Sequence, residues 1–164
     1  MRVLYLLSVW IHLLSVVTWL GSTISVALIL VPALRRRGDR RLTAELMDAA
    51  GRRLRTMGWI AFALLALTGT TQLYVRGFRF ADLTGTLWQG EFGRALAVKL
   101  VLFALVVALS AIHDFSLGPR AGRAAPGSAE AESLRRRASW LGRLNLVFGL
   151  LIVFFASGLV RGGP

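Results

Sequence analysis

Four apolar runs, each close to the length needed to cross a bilayer, decide what this chain can fold into. They cover residues 3–34, 57–75, 95–115 and 140–160. A hydrocarbon core about 30 Å thick takes about 20 helical residues to span. Inside it, every backbone N–H and C=O must be bonded within the protein, and separate apolar runs of this length meet that demand as helices. The pattern predicts an all-α, antiparallel four-helix membrane bundle. Four spans account for the 164 residues, of which 55% are hydrophobic, so the chain 1–164 is read as a single transmembrane domain. The fourth run borrows residues 140–143 as an interfacial first turn. Arg2 ahead of an apolar stretch is also how a secretion signal begins. Here the stretch runs far past the usual apolar core with no small-residue cleavage site, so it is expected to remain as a helix.

A formal charge of +12 would suggest nucleic acid in a soluble protein. In this chain the arginines sit between the apolar runs, and topology explains them better. Loop 35–56 carries eight arginines and loop 116–143 six, whereas loop 76–94 carries three, offset by Asp82 and Glu91. Basic loops stay on the cytoplasmic side. That places the first and third loops inside and both termini outside, in a multi-pass protein of the cell inner membrane. The partners expected are the bilayer itself, with anionic lipids at the cytoplasmic face, and either a membrane-protein complex or further copies of the chain. Nucleic acid is not among them.

Between the spans, Pro32 is expected to break or bend the first helix. Asp39 is placed to cap a helix through Leu42, Leu46 and Ala50 that runs into the second span. Gly118, Pro119, Gly122, Pro126 and Gly127 mark the third loop as a flexible connector, followed by a short charged helix from Glu130 to Arg137. Phe78, Phe80, Leu87, Trp88 and Phe92 give the middle loop an interfacial character. No internal repeat is evident.

Three ionisable side chains interrupt the apolar runs: His12, Lys99 and His113. Each costs roughly 2.5–3.5 kcal/mol or more in hydrocarbon, which makes it a candidate functional group. Helices in lipid associate through small and polar residues, and each span has such a stripe at spacings of three and four. The stripes are Ser8, His12, Ser15, Trp19 and Ser22; Gly58, Ala61, Leu65, Thr68 and Gln72; Lys99, Phe103, Val106, Ser110 and His113; and Gly142, Asn145, Gly149, Ile152 and Ala156. With both termini outside, His12 and Lys99 fall at similar depth in the outer half. His113 lies about 20 Å further along the third helix, at ~1.5 Å per residue. His12 and His113 therefore mark an outer and an inner site, not one shared ion.

A neutral His12 can bind copper or haem iron through a ring nitrogen. It can equally be held by Thr68, Gln72 or a serine. Trp19 either walls a planar cofactor or only packs. Lys99 either meets a haem propionate or other anion, or snorkels to the headgroups. His113 suits an inner metal site or a helix end whose dipole favours a cation. It precedes Asp114, but neighbours on an α-helix point about 100° apart, so the two form no ready chelate. The chain has no cysteine, and its methionines are Met1, Met47 and Met57. Disulfides and thiolate sites are thus excluded, and the soft ligands Cu(I) prefers are not placed beside His12. No nucleophile triad, phosphate loop or carboxylate pair is visible, which argues against hydrolytic and nucleotide-driven chemistry.

Several segments carry a family likeness. They are H-L-L-S-V-V-T-W-L-G at 12–21, V-P-A-L-R-R at 31–36, L-T-G at 67–69 and F-G-R-A-L-A-V-K-L-V-L-F at 92–103. With them the chain resembles the CopD-like membrane proteins associated with copper resistance or uptake. The combination of His12, Trp19 and Lys99 is also similar to that in HemJ-type protoporphyrinogen oxidases, which are haem-associated four-helix proteins. The likeness implies an inner-membrane protein handling copper or another redox-active ligand around His12 and Lys99. A haem b redox protein and a non-catalytic accessory subunit are the alternatives.

Overall fold

A computed structural model describes residues 2–36, 40–79, 81–82, 85, 88–125 and 128–160. Among these residues every regular element is helical, and four helices are long and apolar enough to span a membrane: Arg2–Leu34, Glu45–Val75, Gly90–Arg123 and Ala129–Ser157. The expected fold class, all-α with four membrane-length helices, is the one observed. The chain divides into two compact units, Met1–Thr84 and Gly85–Pro164, each an antiparallel helical hairpin.

In the N-terminal hairpin, α1 (Arg2–Ser25) continues through a π-helical turn (Val26–Leu30) into α2 (Val31–Arg36), and α3 (Arg40–Val75) returns. Cross-links between α1–α2 and α3 fix the antiparallel register. At one end the Arg76 guanidinium donates to the Tyr5 hydroxyl at 3.0 Å. Ser8 Oγ donates to the Thr68 carbonyl at 3.0 Å. Trp19 packs on Phe62 with ring centroids 5.3 Å apart. At the other end Thr43 Oγ1 donates to the Leu34 carbonyl at 3.4 Å. The C-terminal hairpin has α4 (Gly90–Ala111), a second π turn (Ile112–Leu117), α5 (Gly118–Arg123) and α6 (Ala129–Val160). Its α4 and α6 are joined by Asn145 Nδ2, which donates to Ser110 Oγ at 2.9 Å.

All four sequence stripes face inward: none of their residues is exposed, while Val3, Trp10, Val17, Leu28, Leu67, Phe115 and Phe154 are. An apolar exterior around small and polar contacts is what a lipid environment selects.

Three local expectations need correction. Pro32 does not end the first helix. It has no N–H to offer the Leu28 carbonyl, and its ring crowds that group. The chain widens ahead of it into a π turn, closed by the Val31 N–H on the Val26 carbonyl, and then resumes as α2. Gly118 and Pro119 likewise lie in a helix, α5, where a flexible connector was expected; it continues directly from the π turn, which the Gly118 N–H closes on the His113 carbonyl just ahead of the proline. The charged segment 130–137 is not a separate short helix but the opening turns of α6. Nothing from Ala129 to Leu141 is a glycine or proline, and Ser128 Oγ caps the start by accepting the Ala131 N–H at 3.1 Å. The proposed cap Asp39, with Phe80 and Leu87 of the middle loop, lies outside the described residues.

Candidate functional site

The polar centre of the N-terminal hairpin is built around His12. Its Nδ1 lies 2.7 Å from Thr68 Oγ1. The Thr68 hydroxyl hydrogen is already committed, because Oγ1 donates to the Leu64 carbonyl one turn back at 2.6 Å. Thr68 Oγ1 can therefore only accept from the ring, so Nδ1 carries the hydrogen and, in the neutral imidazole, Nε2 carries the lone pair. A hydrogen bond at one ring nitrogen that orients the other as a donor atom is how histidine ligands are commonly prepared.

The surroundings of the ring follow from the L-T-G run. Thr68 supplies the bond, and Gly69 lies under the ring edge: a Cβ added there would sit 3.8 Å from His12 Cε1. One turn up α1, Ser8 is buried, and its carbonyl is reached by Gln72 Nε2 at 3.5 Å. Ser15, one turn down, is also buried but returns its hydroxyl to its own helix, on the Ile11 carbonyl at 2.8 Å. Ser8, His12, Thr68 and Gln72 thus form one polar patch across two helices.

Trp19 is not in this patch. Seven residues further along α1 is about 10 Å, and there the ring is 7% exposed, packed on Phe62 with its Cδ1 3.9 Å from where a Cβ on Gly58 would lie. Phe62 in turn meets Trp59 edge-on at 5.7 Å. These contacts give Trp19 a packing role within the hairpin.

Lys99 belongs to the C-terminal hairpin. It is half-buried on the α4 stripe that continues through Val106, fully buried, and Ser110, which is bonded to α6. His113 lies in the second π turn, where its Nδ1 is 3.0 Å from Asp114 Oδ1. The two side chains thus reach each other although neighbours on a helix diverge. They remain a pair: among the described residues no group of three or more His, Cys, Asp or Glu is arranged to hold a metal ion. In the middle loop, Asp82 accepts the Arg79 N–H at 2.6 Å and closes a turn.

Two features of the site escaped sequence reasoning. One is the role of Gly69, although the L-T-G run drew notice. The other is the pair of π turns, whose signal is a proline inside each basic helix end, at Pro32 and Pro119.

A family described as copper resistance protein D, CopD, matches residues 48–159. That stretch holds Thr68, Lys99 and His113 but not His12. An uncharacterized protein of Aquifex aeolicus (strain VF5) is 29% identical over 157 residues, 95% of each chain. No solved structure matches.

Proposed function

We propose, for a chain that belongs to the copper resistance protein D family, that it handles copper within the cell inner membrane and that His12 is its outer contact. Family membership supports a copper-resistance-related membrane protein; the contact itself is inferred from the His12–Thr68 bond. With Nδ1–H held by Thr68, Nε2 is the ring atom that presents a lone pair. Copper is the cargo in this reading, met by one nitrogen among hydroxyl and amide oxygens. Nitrogen and oxygen donors suit Cu(II) better than Cu(I), and a single strong donor suits passage better than storage. His113 and Asp114 offer a second nitrogen and oxygen at the arginine-rich end, which the charge bias assigns to the cytoplasm.

A haem b protein is the second reading, favoured by the same imidazole. One anchored histidine is enough for axial ligation, since the porphyrin supplies the remaining equatorial nitrogens. His12 would hold the iron.

One preparation separates the readings. The chain is purified from membranes grown with copper, and its visible spectrum and copper content are measured alongside those of His12→Ala. Bound copper that disappears in the variant supports the first reading; a Soret band that disappears supports the second. If neither copper nor haem is present, or occupancy is unchanged in His12→Ala, both readings fail and an accessory role in a larger complex takes their place.

A further inference from the structure

The arginine-rich end of the C-terminal hairpin carries a feature that copper handling does not use. On α6 the residues Arg136 and Arg137, then Trp140 and Leu141, then Leu144 recur at spacings of three and four, so they share one face. That face meets Ile112 and Leu117, which bracket the second π turn, and together the seven side chains line an open groove of about 420 Å³.

The groove is graded along its length. Arg136 and Arg137, both exposed, contribute their alkyl stems at one end, and the lining is apolar almost throughout. Trp140, 62% exposed, comes between the arginines and Leu144. From Arg137 to Leu144 the face descends about 10 Å at ~1.5 Å per residue. A charged head, an amphipathic ring at the interface and an apolar tail is the profile of a phospholipid read from headgroup to acyl chain. Guanidinium forks pair with phosphate oxygens through two parallel bonds, and their sign selects an anionic headgroup.

We propose that this groove is a binding site for one anionic phospholipid of the cytoplasmic leaflet, its phosphate on Arg136 and Arg137 and an acyl chain along Ile112, Leu117, Leu141 and Leu144. The occupant is a lipid because charge and hydropathy both change in the order a leaflet presents them, on a helix that itself crosses the membrane. The π turn contributes its first and last residues, Ile112 and Leu117, to the lining.

The test uses the full chain reconstituted in zwitterionic vesicles that contain a minor fraction of a brominated lipid, either phosphatidylglycerol or phosphatidylcholine. Bromine quenches only tryptophans it touches, and subtracting the signal of Trp140→Phe isolates Trp140 from the other four tryptophans. At about 1 kcal/mol for each of the two basic residues near the surface, quenching by the anionic lipid should correspond to an enrichment of roughly thirtyfold over the zwitterionic one. Arg136→Gln with Arg137→Gln should remove that preference. The charge-matched double variant Arg120→Gln with Arg135→Gln should keep it. Equal quenching by the two lipids overturns the proposal, as does equal loss in both double variants, which would reduce the effect to general surface charge. Absence of quenching by either lipid also overturns it, because a protein surface such as a second copy would then cover the groove.

Discussion

The two hairpins share an element order that their residues hardly reveal. Each begins with a long helix that widens into a π turn, passes through a six-residue α-helical stretch and returns as a still longer helix. In each, the residue just before the proline closes the π turn: the Val31 N–H bonds the Val26 carbonyl, and the Gly118 N–H bonds the His113 carbonyl. Setting Pro32 against Pro119 aligns residues 2–36 with 89–123, and only Leu13, Leu30, Pro32 and Arg36 recur identically, at Leu100, Leu117, Pro119 and Arg123. Twenty positions before each proline stands the ionisable residue of that helix, His12 in one hairpin and Lys99 in the other.

Their differences lie in what the shared frame carries. Thirteen positions before the proline, one hairpin has Trp19, with Gly58 opposite it; the other has Val106, with no exposed surface at all. Hydrogen bonds that join the helices are also distributed differently. Ser8, His12 and Thr68 tie the N-terminal hairpin far from its proline and Thr43 ties it beside the proline at Leu34, whereas the C-terminal hairpin is tied between Ser110 and Asn145. The lesson is that one backbone plan tolerates an imidazole or an ammonium at the same register, and that the imidazole is held there by Thr68 of the partner helix.

The largest expected effect breaks that register equivalence. His12→Ala should abolish ligand binding, as set out above. Lys99→Ala should only weaken it, because a counter-charge is not a donor atom. Measuring bound copper or haem in both variants decides the point, and equal loss in the two would mean that the hairpins contribute alike. Next comes Thr68→Val, which removes the acceptor for His12 Nδ1–H. Losing the partner that orients a histidine ligand typically lowers metal affinity by about 10–100-fold. Titration of the purified variant with the bound species tests this, and unchanged affinity would remove Thr68 from its positioning role.

The stability side of the comparison runs in opposite directions. Thr68→Val strands a ring N–H in the hairpin interior, a cost of about 1–3 kcal/mol. Among the described residues, the buried Oδ1 of Asn145 in the other hairpin has no hydrogen-bond partner. Asn145→Leu loses one interhelical bond, worth about 0.6 kcal/mol in membranes, and relieves that oxygen. It should be nearly neutral. Unfolding of both variants in detergent checks the asymmetry, and a larger loss for Asn145→Leu would reverse it.

The membrane helices and their inward faces were legible because lipid leaves so little choice. A 20-residue apolar run has one way to satisfy its backbone, and small or polar residues at spacings of three and four have one face to share. His12 was legible as a candidate for the same reason, and Thr68 and Gln72 were already among its expected partners. What could not be read was the outcome of competition at the helix ends. Pro32 and Pro119 signal a break equally well whether the chain stops, kinks or widens; the π turn wins by keeping most backbone groups bonded. The shared plan of the hairpins escaped notice because only a proline register and a few apolar positions recur. The closeness of His113 and Asp114 was not read either. Pro119→Ala restores an N–H to the helix and should return the turn around His113 to α-helical spacing. The imidazole signals of His113 by NMR would then shift while those of His12 stay in place; a shift at His12 would show that the hairpins are not independent in this respect.

The smallest effect is expected at Gly69, where the frame is most tolerant. A methyl group there would stand 3.8 Å from His12 Cε1, an ordinary van der Waals distance. Gly69→Ala therefore adds contact without displacing the ring. Alanine is also the better helix former, by about 0.8–1.0 kcal/mol in water. The variant should bind its ligand as the parent does and unfold at the same or a slightly higher temperature. Gly69→Leu should not, because a branched side chain on that line fills the space of the imidazole edge and breaks the Nδ1 bond to Thr68. If alanine alone impairs binding, the face of His12 above Gly69 is space the ligand itself requires, and the site is larger than the hydrogen-bonded patch that defines it.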